Sequence, residues 1–155
     1  MSSVTTTSRS SRKRPPVAVR RTGYAFAAVI NAAILYLLNV WPGWEELSFL
    51  TEETTEVLGL VNFSLALGVL LNVVYLFADP AWFKVTGELL TALVSLLVVL
   101  RVIQVFPFDF STWNVDWTWL VWTILIIAAI GTFVGAVVQL VTLVRVLTSG
   151  HPQSF

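Results

Sequence analysis

The stretch that decides the fold is Trp82–Phe106, WFKVTGELLTALVSLLVVLRVIQVF, which holds the charged Arg101 inside an apolar segment. Only twelve residues, from Leu89 to Leu100, separate Glu88 from Arg101, and a run of that length alone favours a re-entrant or buried segment. Glu88 and Arg101 are nevertheless about 20 Å apart along a helix. Both side chains can therefore extend to the edges of a hydrocarbon core. We predict that residues 81–106 cross the membrane completely.

Three further apolar segments flank this one, at residues 22–41, 54–78 and 117–147. Each is long enough for the ~20 residues that cross a ~30 Å hydrocarbon core. The composition agrees, because 57% of the residues are hydrophobic and 12% are charged, against roughly 45–50% and 25% in soluble domains. We predict an all-α fold, an antiparallel bundle of four transmembrane helices over residues 22–148. A disordered basic tail (1–21) would precede it, and a short tail (149–155) would follow.

The basic residues predict the orientation of these helices. If all four segments cross, eight of the nine Lys and Arg residues fall on one side, and seven of the nine acidic residues fall on the other. Lys and Arg mark the cytoplasmic side in the positive-inside rule, so both termini are expected in the cytoplasm. With only three crossings, Arg145 would lie outside. The chain is therefore expected to be a multi-pass protein of the cell membrane, with the lipid bilayer as its first partner.

Small and amide side chains recur at helical spacing in two of the segments. Small residues four positions apart let helix backbones approach closely in lipid, and residues within about 100° on a helical wheel share one face. Six positions meet these criteria and are predicted to pack against other helices: Ser64, Gly68 and Asn72 in the second segment, and Ala128, Gly131 and Gly135 in the fourth.

Four polar side chains are expected within the membrane, namely Asn31, Asn62, Arg101 and Gln139. Together with Asn72, these three amides are predicted to form interhelical hydrogen bonds, at about 0.6 kcal/mol each; a polar cavity for a small ligand is the alternative. Arg101 is expected either to reach the head groups or to form an ion pair, with Glu56 or Asp109 as partner. A role for Arg101 in binding or conduction is the alternative.

The sequence argues against several classes of function. It has no cysteine, and its single histidine lies in the C-terminal tail, so general acid–base and metal-assisted mechanisms lack their usual groups. We therefore predict no enzyme activity, no cofactor and no metal. The basic tail has no aromatic residue to stack on bases, which argues against nucleic acid; anionic lipids are its expected contact. The acidic, aromatic loop 107–116 is expected to be solvated surface and interfacial belt, with docking of a partner as the alternative.

Three turn motifs carry a resemblance. Trp41-Pro42-Gly43-Trp44, Asp79-Pro80-Ala81-Trp82 and Phe106-Pro107-Phe108-Asp109-Phe110 resemble a group of small uncharacterised four-helix membrane proteins from bacteria. The likeness covers about residues 23–145, and its motifs lie in turns rather than in a catalytic pattern. It implies the same fold and a bacterial inner membrane, and it implies no activity.

The functional hypothesis is a structural or interaction protein, or an accessory subunit, that partners another membrane protein or itself. A small transporter or channel subunit is the alternative. Small multidrug exporters of similar size carry a carboxylate within their first helix, whereas this chain has Asn31 there, so proton-coupled export lacks its usual titrating group. A third hypothesis is a module that senses lipid head groups through the basic tail and Arg101.

Overall fold

A computed structural model of the chain describes residues 15–149. It contains four long helices: α1 (Val17–Asn39), α2 (Thr54–Phe77), α3 (Ala81–Val105) and α4 (Thr118–Thr148). All four are long and apolar enough to span a membrane. The described residues form no strand, and Leu50 and Phe108 form only an isolated antiparallel bridge. The prediction of an all-α fold with four candidate membrane spans is confirmed.

Helices α2, α3 and α4 begin and end within one residue of the predicted bounds. The turn between α2 and α3 is only three residues long, and Pro80 occupies the cap position of α3, where its missing N–H has no helical partner to lose. At the other end of α3, Phe106 adopts a left-handed conformation with φ of 45°. This conformation and the following Pro107 end the helix. Both prolines were visible in the sequence as signals for the ends of α3.

Helix α1 differs from its prediction. It begins at Val17, directly after Pro16, and ends at Asn39. The predicted helix 22–41 is therefore present, but both of its bounds were wrong, as was the assignment of residues 17–21 to a disordered tail. The physical reason is a partner for Arg20, whose guanidinium forms an ion pair with Asp79. This ion pair allows the basic segment to continue the helix. The first fourteen residues of the predicted tail, and residues 150–155, lie outside the described part of the chain.

Close helix packing follows the order of the chain, with α1 on α2, α2 on α3, and α3 on α4. Within residues 15–149, α1 and α4 do not pack closely on each other. Among the described residues, close packing therefore joins the helices in chain order, and no close contact between α1 and α4 closes the predicted bundle. Few side chains are buried, and those of the helices include Ala28, Val57, Tyr75, Val94 and Ala136.

The two long connections contact each other through residues 47–51 and 106–110, which we call the loop clasp. The N–H of Thr51 donates to the carbonyl oxygen of Pro107 at 3.1 Å, and the N–H of Asp109 donates to that of Phe49 at 2.9 Å. The Phe49 and Phe110 rings stack with centroids 6.2 Å apart, and Phe110 is buried. These contacts join the α1–α2 connection to the α3–α4 connection.

Candidate functional site

A polar network begins where α1 meets the turn between α2 and α3. Arg20 Nη1 donates to Asp79 Oδ2, and the two side chains are 14% and 23% exposed. Tyr24, one helical turn along α1, donates from its hydroxyl to the same carboxylate oxygen at 3.3 Å. Because Asp79 follows α2 directly, these contacts fasten the first turns of α1 to the end of α2.

Tyr24 extends the network to α2 and α3. Its ring centroid lies 5.4 Å from that of Tyr75 on α2, and Lys84 Nζ on α3 lies 5.4 Å from the Tyr24 ring centroid. This distance is within the range of a cation–π interaction. The Tyr75 hydroxyl also donates to the backbone carbonyl oxygen of Lys84 at 3.3 Å. Three helices therefore meet at one pair of tyrosine rings.

A buried glycine makes the contact between α2 and α3 possible. Gly87 faces Tyr75, and a Cβ at Gly87 would overlap the Tyr75 hydroxyl oxygen and lie 3.2 Å from Tyr75 Cζ. Gly87 is the only glycine of α3. Gly87 was not among the predicted packing residues, although a lone glycine next to an acidic residue in a candidate membrane span was a usable signal.

Glu88 connects the network to α4. Its carboxylate lies 3.5 Å from Lys84 Nζ and accepts a hydrogen bond from Gln139 Nε2 at 2.9 Å. Gln139 was predicted to form an interhelical hydrogen bond, and the structure supplies Glu88 as its partner. The contacts described so far define the Asp79 network, which consists of Arg20, Tyr24, Tyr75, Asp79, Lys84, Glu88 and Gln139.

The predicted packing face of α2 lies partly against α1. Gly68 is buried, and a Cβ there would come within 2.9 Å of Asn31 Nδ2. Ser64 and Asn72, one turn to either side of Gly68, are half-buried. The Asn31 amide donates to Ala27 O, and the Asn72 amide donates to Gly68 O. Both amides therefore donate within their own helix, and the interhelical hydrogen bonds predicted for Asn31 and Asn72 are not observed among the described residues.

Asn62 does form the predicted interhelical contact, with Asn39 of α1. Each amide donates to the oxygen of the other, at 2.7 Å and 2.8 Å. Such a reciprocal pair satisfies two donors and two acceptors at once. Asn39 was not among the predicted polar residues, although two asparagines at similar depth in successive helices are a recognisable signal.

Arg101 forms an ion pair with Glu56, one of the two acids considered from the sequence. Arg101 Nη2 lies 3.1 Å from Glu56 Oε2, and the side chains are 44% and 56% exposed. Exposed pairs of this kind stabilise a protein by about 0–1 kcal/mol. The pair joins the end of α3 to the first turn of α2.

The predicted packing residues of α4 fall into two groups. Ala128 is half-buried, and its carbonyl oxygen accepts a hydrogen bond from Thr132 at 2.8 Å, on the same side as the buried Ala136. Gly131 is exposed and Gly135 is half-buried, and nothing lies within 4 Å of a Cβ built at either one. Packing through Gly131 and Gly135 therefore stays a prediction, and the helix that would pack there is not among those of residues 15–149.

The chemistry available in the Asp79 network is that of paired charges. Arg20 and Lys84 each contact a carboxylate. Residues 15–149 contain no group of three or more His, Cys, Asp or Glu side chains that could hold a metal ion. The ion pairs and hydrogen bonds of the network join the four helices to one another.

No known protein family, curated protein or solved structure matches this chain.

Proposed function

We propose that this chain is a four-pass membrane protein that acts as an interaction protein or accessory subunit, through contacts with another membrane protein or a second copy of itself. The observation that carries this proposal is the free face of α4 around Gly131. Among the long helices of the described chain, α4 packs closely only on α3, and nothing lies within 4 Å of a Cβ built at Gly131.

The free face has the composition of a helix–helix interface in lipid. Gly131 is exposed and leaves open space for an approaching backbone. Large β-branched side chains with 52–64% exposure surround it, and they are Ile127, Ile130, Val134 and Val138. A small residue between such side chains allows a second helix to approach closely and to gain packing contacts.

We further propose an antiparallel order of the helices, with both termini in the cytoplasm. The order is supported by contacts that pair the start of one helix with the end of the next, such as Arg20 with Asp79 and Glu56 with Arg101. The orientation is supported by the basic residues, which mark the cytoplasmic side. A bacterial inner membrane follows from the resemblance alone.

The orientation can be tested with single cysteines, because the natural chain has none. Ser48→Cys and Ser111→Cys place an exposed thiol in each long connection, and Ala78→Cys places one in the short turn. We expect a membrane-impermeant maleimide to label positions 48 and 111 in intact cells, and position 78 only after permeabilisation. If position 111, like position 78, were labelled only after permeabilisation, that result would contradict four crossings.

The interaction proposal can be tested by oxidative cross-linking in native membranes. Val134→Cys on the free face of α4 is expected to form a disulfide-linked dimer if the partner is a second copy. Leu97→Cys, which is 56% exposed on α3, serves as the matched lipid-facing control and is expected to stay monomeric. Adding Gly131→Leu should abolish the Val134→Cys dimer, because the larger side chain blocks close approach.

If the partner is a different protein, Val134→Cys stays monomeric but a specific partner co-purifies in mild detergent, and Gly131→Leu releases it. Equal cross-linking at 97 and 134, or neither a dimer nor a partner, would refute the interaction proposal.

A small transporter or channel subunit is the second candidate, and Glu88 is the observation that favours it. Small multidrug exporters carry their carboxylate in the first helix, whereas Glu88 is the eighth residue of α3 and contacts Gln139 on α4. Carboxylates within a membrane often mark ion pathways. Solute movement by the purified protein in liposomes, with loss in Glu88→Gln, would replace the first proposal.

A further inference from the structure

A cleft of about 360 Å³ opens beside the loop clasp, between the end of α3 and the start of α4. Its size lies within the range of small-molecule sites. Its lining includes three aromatic and two acidic side chains, namely Phe108, Phe110, Trp113, Asp109 and Asp116. Among residues 15–149, no lysine or arginine lines the cleft. Its walls lie almost entirely in the α3–α4 connection, outside the candidate membrane spans.

Two carboxylates give the cleft a negative charge. The backbone N–H and hydroxyl of Ser111 hold the pKa of Asp109 below its usual range, and the hydroxyl and backbone N–H of Thr118 do the same for Asp116. Both groups are therefore ionised at neutral pH. Within residues 15–149, neither carboxylate forms an ion pair with a basic side chain. The two charges are thus available to a cation from solution.

The aromatic rings of the cleft are held at defined angles. The Trp113 ring meets Phe110 edge-to-face with centroids 6.0 Å apart, and it meets Phe49 in the same way at 6.1 Å. Phe108 stacks parallel to Phe110 at 6.4 Å. Trp113 lines the cleft and remains 45% exposed. Indole faces attract cations, and tryptophan does so most strongly among the aromatic residues.

We propose that this cleft binds an alkylammonium cation, carried by a free amine or by a lipid head group. The combination of aromatic rings with carboxylates is the chemistry that recognises quaternary ammonium groups. A hard metal ion fits less well, because Ca²⁺ takes six to eight oxygen ligands and the cleft offers two carboxylates. This activity is separate from the proposed function of the α4 face, since the two regions share no residue.

The test uses the full-length chain in nanodiscs of phosphatidylglycerol, whose head group has no ammonium. Choline is titrated calorimetrically, and 3,3-dimethylbutanol, its neutral isostere, is the comparison probe. We expect choline to bind and the alcohol to bind at least about tenfold more weakly, which corresponds to about 1.4 kcal/mol. Nanodiscs of phosphatidylcholine should suppress the binding of free choline if lipid head groups occupy the cleft, and leave it unchanged if they do not.

The decisive variant is Asp109→Asn combined with Asp116→Asn. An asparagine oxygen can still accept the hydrogen bonds from Ser111 and Thr118, so both turns should survive while the charge is removed. We expect this variant to weaken choline binding by about tenfold with an unchanged size-exclusion profile. Its matched control is Glu45→Gln with Glu46→Gln, which removes two exposed charges from the other long connection.

Three results would overturn the proposal: equal binding of choline and the alcohol, equal loss in the control variant, or undiminished binding in the Asp109/Asp116 variant.

Discussion

Gly87→Ala is expected to lower the free energy of unfolding by about 1–3 kcal/mol, the usual range for overpacking a well-packed contact. The added methyl group would overlap the Tyr75 hydroxyl oxygen. That oxygen cannot simply move aside, because the Tyr75 ring is 6% exposed and packs edge-to-face on Phe83. Equilibrium unfolding of the purified protein in detergent, followed by tryptophan fluorescence, would measure the loss.

Two controls separate this steric effect from a general effect of alanine. Gly131→Ala makes the same chemical change in α4, where nothing lies within 4 Å of the new Cβ, and should leave stability unchanged or slightly raised. Tyr75→Phe removes the overlapping oxygen but keeps the ring, so Gly87→Ala should be less damaging in that background. Equal losses at 87 and 131 would show that the contact between Tyr75 and Gly87 is not tight.

Asp79→Ala is expected to lower the free energy of unfolding by about 1.5–3 kcal/mol, the range for hydrogen bonds to charged groups. The substitution removes the acceptor of both Arg20 and Tyr24. Arg20 is only 14% exposed, and its Nε already has no hydrogen-bond partner among the described residues. Leaving a largely buried guanidinium without its carboxylate is more costly than losing an exposed pair.

The matched control is Glu56→Ala, which breaks the exposed pair with Arg101 and should cost less than about 1 kcal/mol. A double-mutant cycle with Arg20→Met isolates the pairwise energy at Asp79. In that background Asp79→Ala should be clearly milder. The interpretation fails if Asp79→Ala and Glu56→Ala have equal effects, or if the cycle shows no coupling.

The ends of the helices could be predicted from the sequence because they depend on local signals. Long apolar runs stop at prolines and charges, and these placed α2, α3 and α4 within one residue of their observed bounds. The start of α1 could not be predicted in this way. It depends on the ion pair between Arg20 and Asp79, which joins residues from different helices, and the composition of the basic segment favoured a disordered tail.

The helix against which each face packs was also hard to predict, because such contacts join residues from different helices. Helical periodicity indicates which residues share a face, but it does not indicate which helix that face meets. Gly68 was selected as a packing residue and lies against Asn31, whereas Gly131 was selected by the same rule and faces away from the chain. Glu88 was expected to extend toward the membrane edge, and the structure instead directs it to Gln139.

The four helices are not equal in length. Helix α4 has 31 residues, or about 46 Å, whereas α3 beside it has 25, or about 38 Å. If the helices cross a bilayer as proposed, α4 exceeds the ~30 Å hydrocarbon layer and has to tilt, protrude or thicken the lipid around it, each at a modest energetic cost per ångström of mismatch. The mismatch at α4, and with it the energetic cost of placing this protein in a bilayer, is therefore expected to be smaller in thicker bilayers.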